Sequence, residues 1–267
     1  MSIPIPSETG TCLITGASAG IGTEFARQMA ERGYNVTLAA RRIDRLTELA
    51  AELEERYNVR AIAVACDVTD AVQRQELLES IEARGDHVEI LINNAGVGTD
   101  GSFMADPLET QMQQLEVNVV ALTALTHMVL APMLEKRAGA ILNVASTAGF
   151  QPMPRQAVYA ATKAYVISLS QGLSQEFKAS GVSFTALCPG PTRTEFFGDR
   201  QEELENDSPD WAWQSAEDCA RSGIDAMFQQ KRIHIPKSVN KFGVYTSKIA
   251  PTRMTLELLD RVWPVGK

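Results

Sequence analysis

The chain has 267 residues, 45% hydrophobic and 22% charged. Those are the proportions of an ordinary globular protein, which excludes a mainly disordered or collagen-like chain. Lys and Arg number 25 against 33 Asp and Glu, a net charge of −8. A broad nucleic-acid footprint is therefore excluded, while a local anion site is not.

From the N-terminus, Met1 to Gly10 has neither a basic start nor an apolar run, so no secretory signal is expected. Residues 11–15 form a short apolar run bounded by Gly10 and Gly16 and read as the first strand. A helical pattern over 21–31 ends at Gly33. Strands at 35–40 and 59–65 alternate with helices at 44–56 and 71–83. A fourth strand is predicted at 89–92, followed by helices at 107–116 and 119–136. The stretch 117–134 is the most apolar in the chain, but Asn118, His127 and Pro132 interrupt it. That composition suits a long buried helix better than a membrane span. Strands at 140–145, 182–187 and 232–235 and a long helix at 155–178 complete the pattern.

Apolar strands that each lead into a helix indicate a parallel sheet covered on both faces. Right-handed crossovers then make it doubly wound, within a single domain spanning 1–267. Residues 196–215 break the alternation: they are acidic, yet carry Phe196, Phe197, Trp211 and Trp213. A segment at about 194–215 is therefore expected either to cover an apolar ligand or to form a solvated surface helix. In the extension at about 236–267, Leu256, Leu258, Leu259, Val262 and Trp263 recur at helical spacing. Core packing is the ordinary fate of such a stripe; a subunit interface or a membrane surface are the alternatives.

Cys12, Cys66, Cys188 and Cys219 lie far apart with no metal-ligand spacing. They read as buried thiols of a reducing, cytoplasmic protein, and no metal site is expected. His87, His127 and His234 are likewise scattered.

Four motifs carry chemistry. Thr15-Gly16-Ala17-Ser18-Ala19-Gly20-Ile21-Gly22 follows a strand and opens a helix. Glycines there allow a tight turn and a close approach to a diphosphate seated at the helix N-terminus. The second strand ends in Ala39-Ala40-Arg41-Arg42. An acid there would bind the ribose hydroxyls of NAD, whereas a guanidinium fork suits the 2′-phosphate of NADP(H). Asn93-Asn94-Ala95-Gly96 closes the fourth strand, at the edge where open sheets bind ligands. Tyr159 and Lys163 lie one turn apart on a helix. An adjacent ammonium is expected to lower the phenol pKa; reaching about 7 takes roughly 4 kcal/mol. Ser146 ends the fifth strand, Asn118 heads a helix, and Pro189-Gly190-Pro191-Thr192-Arg193-Thr194 follows the sixth strand.

With these motifs in this order, the chain resembles the short-chain dehydrogenase/reductase family over about residues 8 to 235. The resemblance implies a Rossmann-like fold with a seven-stranded parallel sheet. It also implies hydride exchange between a nicotinamide cofactor and an alcohol or carbonyl. Tyr159 would be the general acid in reduction and the base in oxidation. Lys163 would lower its pKa and hold the nicotinamide ribose. Ser146 would donate to the substrate oxygen, and Asn118 would hold a relay water. Gly16, Ser18, Gly20, Ile21 and Gly22 would cradle the phosphates. Arg41 and Arg42 would meet the 2′-phosphate, and Asp67 and Val68 the adenine. Asn94 and Gly96 would line the adenosine side. Pro189, Gly190, Thr192 and Thr194 would hold the nicotinamide end.

The family often has Val or Ile at Thr192, and Pro191 stiffens this loop. Phe150, Met153, Phe196 and Phe197 are candidate substrate contacts beside Ser146 and Tyr159. The expectation is an NADPH-dependent reductase of an apolar ketone or aldehyde. The alternatives are a hydroxysteroid-like alcohol dehydrogenase working in oxidation and a non-catalytic dinucleotide sensor. Only small molecules are expected as partners, besides a homodimer or homotetramer paired through an outer stripe of Ala164, Ile167, Ser168 and Gln171. No nucleic-acid or membrane partner is expected.

Overall fold

The computed structural model describes residues 3–99, 101–200 and 210–262. Six strands appear where the apolar runs place them: β1 Gly10–Thr15, β2 Val36–Ala40, β3 Ala61–Ala65, β4 His87–Asn93, β5 Gly139–Val144 and β6 Val182–Leu187. Two short strands, β7 Thr192–Arg193 and β8 Gln214–Ser215, come next, and β9 Ile233–His234 follows. The main sheet has seven strands in the order β3-β2-β1-β4-β5-β6-β9, and every neighbouring pair is parallel. Strand order reverses between β1 and β4. A crevice opens there at the carboxyl ends, which is where such sheets take ligands.

Side chains alternate across the sheet because the strand repeat is two. Cys12, Ile14 and Leu38 enter one layer with Phe25 and Met29 of α1 (Gly20–Glu31) and Leu46 and Leu53 of α2 (Ile43–Tyr57). Ile224 and Met227 of α7 (Ala216–Phe228) join them. Leu13, Leu91 and Ile141 enter the other layer with Leu77 and Ile81 of α3 (Ala71–Glu82). Leu125 and Val129 of α5 (Leu122–Lys136) complete it, with Leu173 of α6 (Ala157–Glu176) packed against them.

The most apolar part of the chain is one unbroken helical run. A π-helical turn, Glu116–Ala121, joins α4 (Leu108–Leu115) to α5, where the sequence pattern implied two separate helices. By length and hydropathy this run could cross a membrane, but half of its apolar window is buried inside the molecule.

A buried polar chain fixes α6 against the sheet. Asn93 Nδ2 donates to Thr126 Oγ1 at 3.0 Å and to Asn143 Oδ1 at 2.9 Å, and Asn143 Nδ2 donates to Ser170 Oγ at 3.0 Å. All four cysteines are buried, and none forms a disulfide.

The 194–215 segment leaves and rejoins the body through β7 and β8, which pair in parallel with Thr192 opposite Gln214. Beyond β9 lie α8 (Ser238–Ile249) and α9 (Thr252–Val262).

Candidate active site

The crevice holds a cleft of about 690 Å³, within the usual range of small-molecule sites. Its phosphate end is made of backbone. Gly16 and Gly20 have φ of +65° and +57°, which side-chain-bearing residues rarely adopt. Ala19, the residue before α1, gives that helix no side-chain cap, so the helix N-terminus faces the cleft with donors free for an anion. A Cβ on Gly22 would lie 2.2 Å from the Gly16 carbonyl oxygen. Gly22 therefore lets α1 pack on the turn and does not itself line the cleft. Asn94 Nδ2 donates to the carbonyls of Thr15 and Gly16 at 3.0 and 3.2 Å, pinning the turn to β4. These features fit a dinucleotide diphosphate.

Arg41, Arg42, Asp67 and Val68 line the adjoining end. Asp67 Oδ1 accepts from Thr69 N at 3.0 Å and Thr69 Oγ1 at 2.8 Å. The backbone bond holds its carboxyl below the ordinary range, with further lowering from the hydroxyl and from Arg41. Among the described residues, Arg41 makes no hydrogen bond or ion pair. Arg42 is engaged: Nη1 reaches Glu195 Oε2 at 2.9 Å and Nε reaches Ser18 Oγ at 3.2 Å.

At the other end, Ser146 caps a short 3-10 turn, Thr147–Phe150. Its Oγ accepts from Ala148 N at 3.1 Å and donates to the Pro189 carbonyl at 3.5 Å. Burial pushes the phenol up to about 12, and the Ser146 contact opposes this. Lys163, expected to lower it together with the bound cofactor, adds nothing to the shift in the chain alone. Its Nζ donates to the Val144 carbonyl at 2.9 Å and lies 5.6 Å from the Tyr159 ring centroid. Burial pushes the ammonium itself down to about 8. Without a cofactor, then, the phenol is a proton donor across the neutral range.

The Asn118 side chain is held from two sides. Its Oδ1 accepts from Val97 N at 3.0 Å, while its Nδ2 donates to Val97 O at 2.8 Å and Thr162 Oγ1 at 3.1 Å. Thr162 Oγ1 in turn donates to the Tyr159 carbonyl at 2.7 Å. The side chain is spent tying the β4 loop to α6 and does not line the cleft. It sits in the π-helical turn, a distortion common at functional sites.

The wall beyond Tyr159 consists of Gln113, Gln151, Met153, Gln156 and Phe196. The Phe196 ring packs against Tyr159 with centroids 5.7 Å apart. None of these five side chains is charged; the charged groups on the cleft among the described residues are Arg41, Arg42, Asp67, Lys163 and Glu195.

A family model described as short chain dehydrogenase matches residues 10–205. The chain belongs to the short-chain dehydrogenase family. Sulfoacetaldehyde reductase 2 of Chromohalobacter salexigens is 37% identical over 186 residues, 69% of this chain and 73% of that protein. A short-chain dehydrogenase from Sphingobium yanoikuyae, solved in complex with NADPH, superposes with a TM-score of 0.79 at 32% identity, covering 90% of this chain and 93% of that one. The bulky-bulky ketone specific alcohol dehydrogenase from Comamonas testosteroni gives a TM-score of 0.77 at 29% identity, covering 92% and 93%.

Within this short-chain dehydrogenase, the cleft gathers most of the residues singled out from sequence. Ser146, Tyr159 and Lys163 line it together with Pro189, Gly190 and Thr192, while Thr194 lies against Gly20 of the glycine turn. Gly16, Ser18, Gly20, Ile21, Asn94 and Gly96 line the rest. Phe150 is not there: it packs with Leu122, Ala145 and Val166 in a separate apolar cluster. Trp211 is 63% exposed and Trp213 is buried, and neither lines the cleft. The side chain of Phe197 lies outside the described residues. The three glutamines and Glu195 carry no motif to mark them: Gln113 comes from α4, the others from separate turns.

Proposed function

We propose that this enzyme is an NADPH-dependent reductase of an uncharged ketone or aldehyde. The observation that carries the reading is the convergence of Ser146, Tyr159 and Lys163 on one cleft beside the glycine turn. When bound, the dihydronicotinamide supplies the hydride that the carbonyl carbon accepts. The chain's own groups handle the oxygen. Ser146 Oγ donates a hydrogen bond to it, stabilising the charge that grows there. Tyr159 gives it the phenolic proton, completing the alcohol. Lys163, held by the Val144 carbonyl, is placed to hold the ribose hydroxyls.

A phenol pushed up to about 12 suits proton donation better than the base role that oxidation needs, which favours the reductive direction over an oxidising dehydrogenase. An intact Ser146-Tyr159-Lys163 set disfavours a non-catalytic sensor. The unengaged Arg41 and the absence of an acid at Ala40 favour the 2′-phosphate of NADPH.

The glutamine wall supports a neutral substrate with hydrogen-bonding groups of its own. A carboxylate or sulfonate there would lose water without gaining a cation. The test is NADPH consumption with matched pairs of carbonyl compounds. Neutral ketones should be reduced with higher kcat/KM than their carboxylated or sulfonated analogues. Preference for the anionic partner, or for NADH, would overturn the reading.

The same reading takes the protein as a cytoplasmic homodimer or homotetramer. The outer face of α4 and α6 supports this, since Leu108 and Met112 are exposed and Tyr165 is 39% exposed. Ala164, Ser168 and Gln171 share that exposure, but Ile167 turns into the core. Light scattering that gives the mass of a single chain would contradict the oligomer.

A further inference from the structure

Glu195 stands at the mouth of the cleft, one residue past Thr194. Its carboxylate accepts from Arg42 Nη1 at 2.9 Å and from Arg45 Nη1 at 2.7 and 3.0 Å. Both arginines sit at the start of α2, more than a hundred residues away in sequence. Through Nε, the same Arg42 reaches Ser18 in the glycine turn. Arg41, beside it, is unengaged among the described residues and also lines the cleft. Two of these cations, Arg41 and Arg42, line the cleft, and the Glu195 carboxylate holds Arg42 and the neighbouring Arg45.

The Arg42–Glu195 pair is open to water, with side chains 46% and 56% exposed. Ion pairs of that kind are weak and readily exchanged. A phosphate monoester offers Arg42 more charge and more acceptor oxygens than a single carboxylate. Arg45 can keep Glu195 in place while Arg42 changes partner.

We infer that Glu195 is a specificity-determining residue for the dinucleotide, its carboxylate competing with the cofactor's 2′-phosphate for Arg42. This rests on the reading that the 2′-phosphate lies at Arg41 and Arg42. A cofactor without that phosphate leaves Glu195 on both arginines, so Glu195 opposes NADPH and is indifferent to NADH. The next residue, Phe196, packs on Tyr159. One dipeptide of the cover therefore touches both the discriminating and the catalytic ends of the cleft.

The experiment is KM for NADPH and for NADH in wild type, Glu195→Gln, Arg42→Gln and the double variant. Glu195→Gln should lower KM for NADPH about threefold to tenfold and leave KM for NADH within about twofold. In the Arg42→Gln background the same substitution should change KM for NADPH by no more than about twofold. An equal change for both cofactors, or a full effect without Arg42, overturns the inference even where wild type prefers NADPH. A wild type that prefers NADH overturns the NADPH reading, and the inference with it.

Discussion

The two ends of the cleft are built from different materials. At the phosphate end the binding surface is main chain: positive-φ glycines, an uncapped helix N-terminus and two carbonyls pinned by Asn94. At the substrate end it is side chain: Gln113 from α4, Gln151 and Gln156 from the turns before α6, and Phe196 from the cover. Backbone geometry constrains residue type tightly, because only glycine fits certain turns. A side-chain wall tolerates many residue types, so it can be re-specified without disturbing the sheet. In the proposed reductase, cofactor chemistry is held rigid while substrate choice is left to adaptable parts.

Substitutions at each end should show this difference. The largest effect belongs to the phenol at the substrate end. Tyr159→Phe should lower kcat about 10³-fold while leaving the cofactor Kd, read by fluorescence titration, within about twofold. Comparable loss of binding would mean the phenol is structural.

Next comes the scaffold beneath the cofactor end. Leu38→Ala removes a fully buried side chain between α1 and α2 and should cost about 3 kcal/mol in urea unfolding. Trp211→Ala, on the exposed side of the cover, should stay within about 0.5 kcal/mol. Equal costs would erase the contrast between rigid sheet and adaptable cover.

Arg41→Ala should raise KM for NADPH about tenfold and spare NADH, as loss of a hydrogen bond to a charged group predicts. The smallest effect is at the base of the cover. Ser215 Oγ caps α7 by accepting from Asp218 N at 3.0 Å, so Ser215→Ala should cost about 1 kcal/mol of stability with kcat unchanged.

Legibility in the sequence follows the same division. Strand and helix positions were readable because burial on both faces forces continuous apolar runs, as in Cys12, Leu13 and Ile14. Gly16, Gly20, Tyr159 and Lys163 were readable because spacing alone places them. Phe150 misled because an aromatic just past Ser146 can turn to the cleft or to the core, and Leu122, Ala145 and Val166 offer it a core. Trp213 misled for the same reason. Asn118 stood out in sequence, but its amide has both ends taken by Val97 and Thr162, which no one-dimensional spacing reveals. At Tyr159, burial dominates in the chain alone, and Lys163 is held by the Val144 carbonyl.

The central claim is that a protonated phenol gives its proton to the carbonyl oxygen. Its most direct test is the pH dependence of kcat/KM for NADPH in the reductive reaction, which reports the free enzyme. With Lys163 near 8 and Tyr159 near 12, activity should be level below about pH 7.5 and fall as the Lys163 ammonium loses its proton near pH 8. It should not recover on the alkaline side. A reductive rate that climbs with pH between 8 and 11 would show that the working form is the phenolate, and would contradict the account.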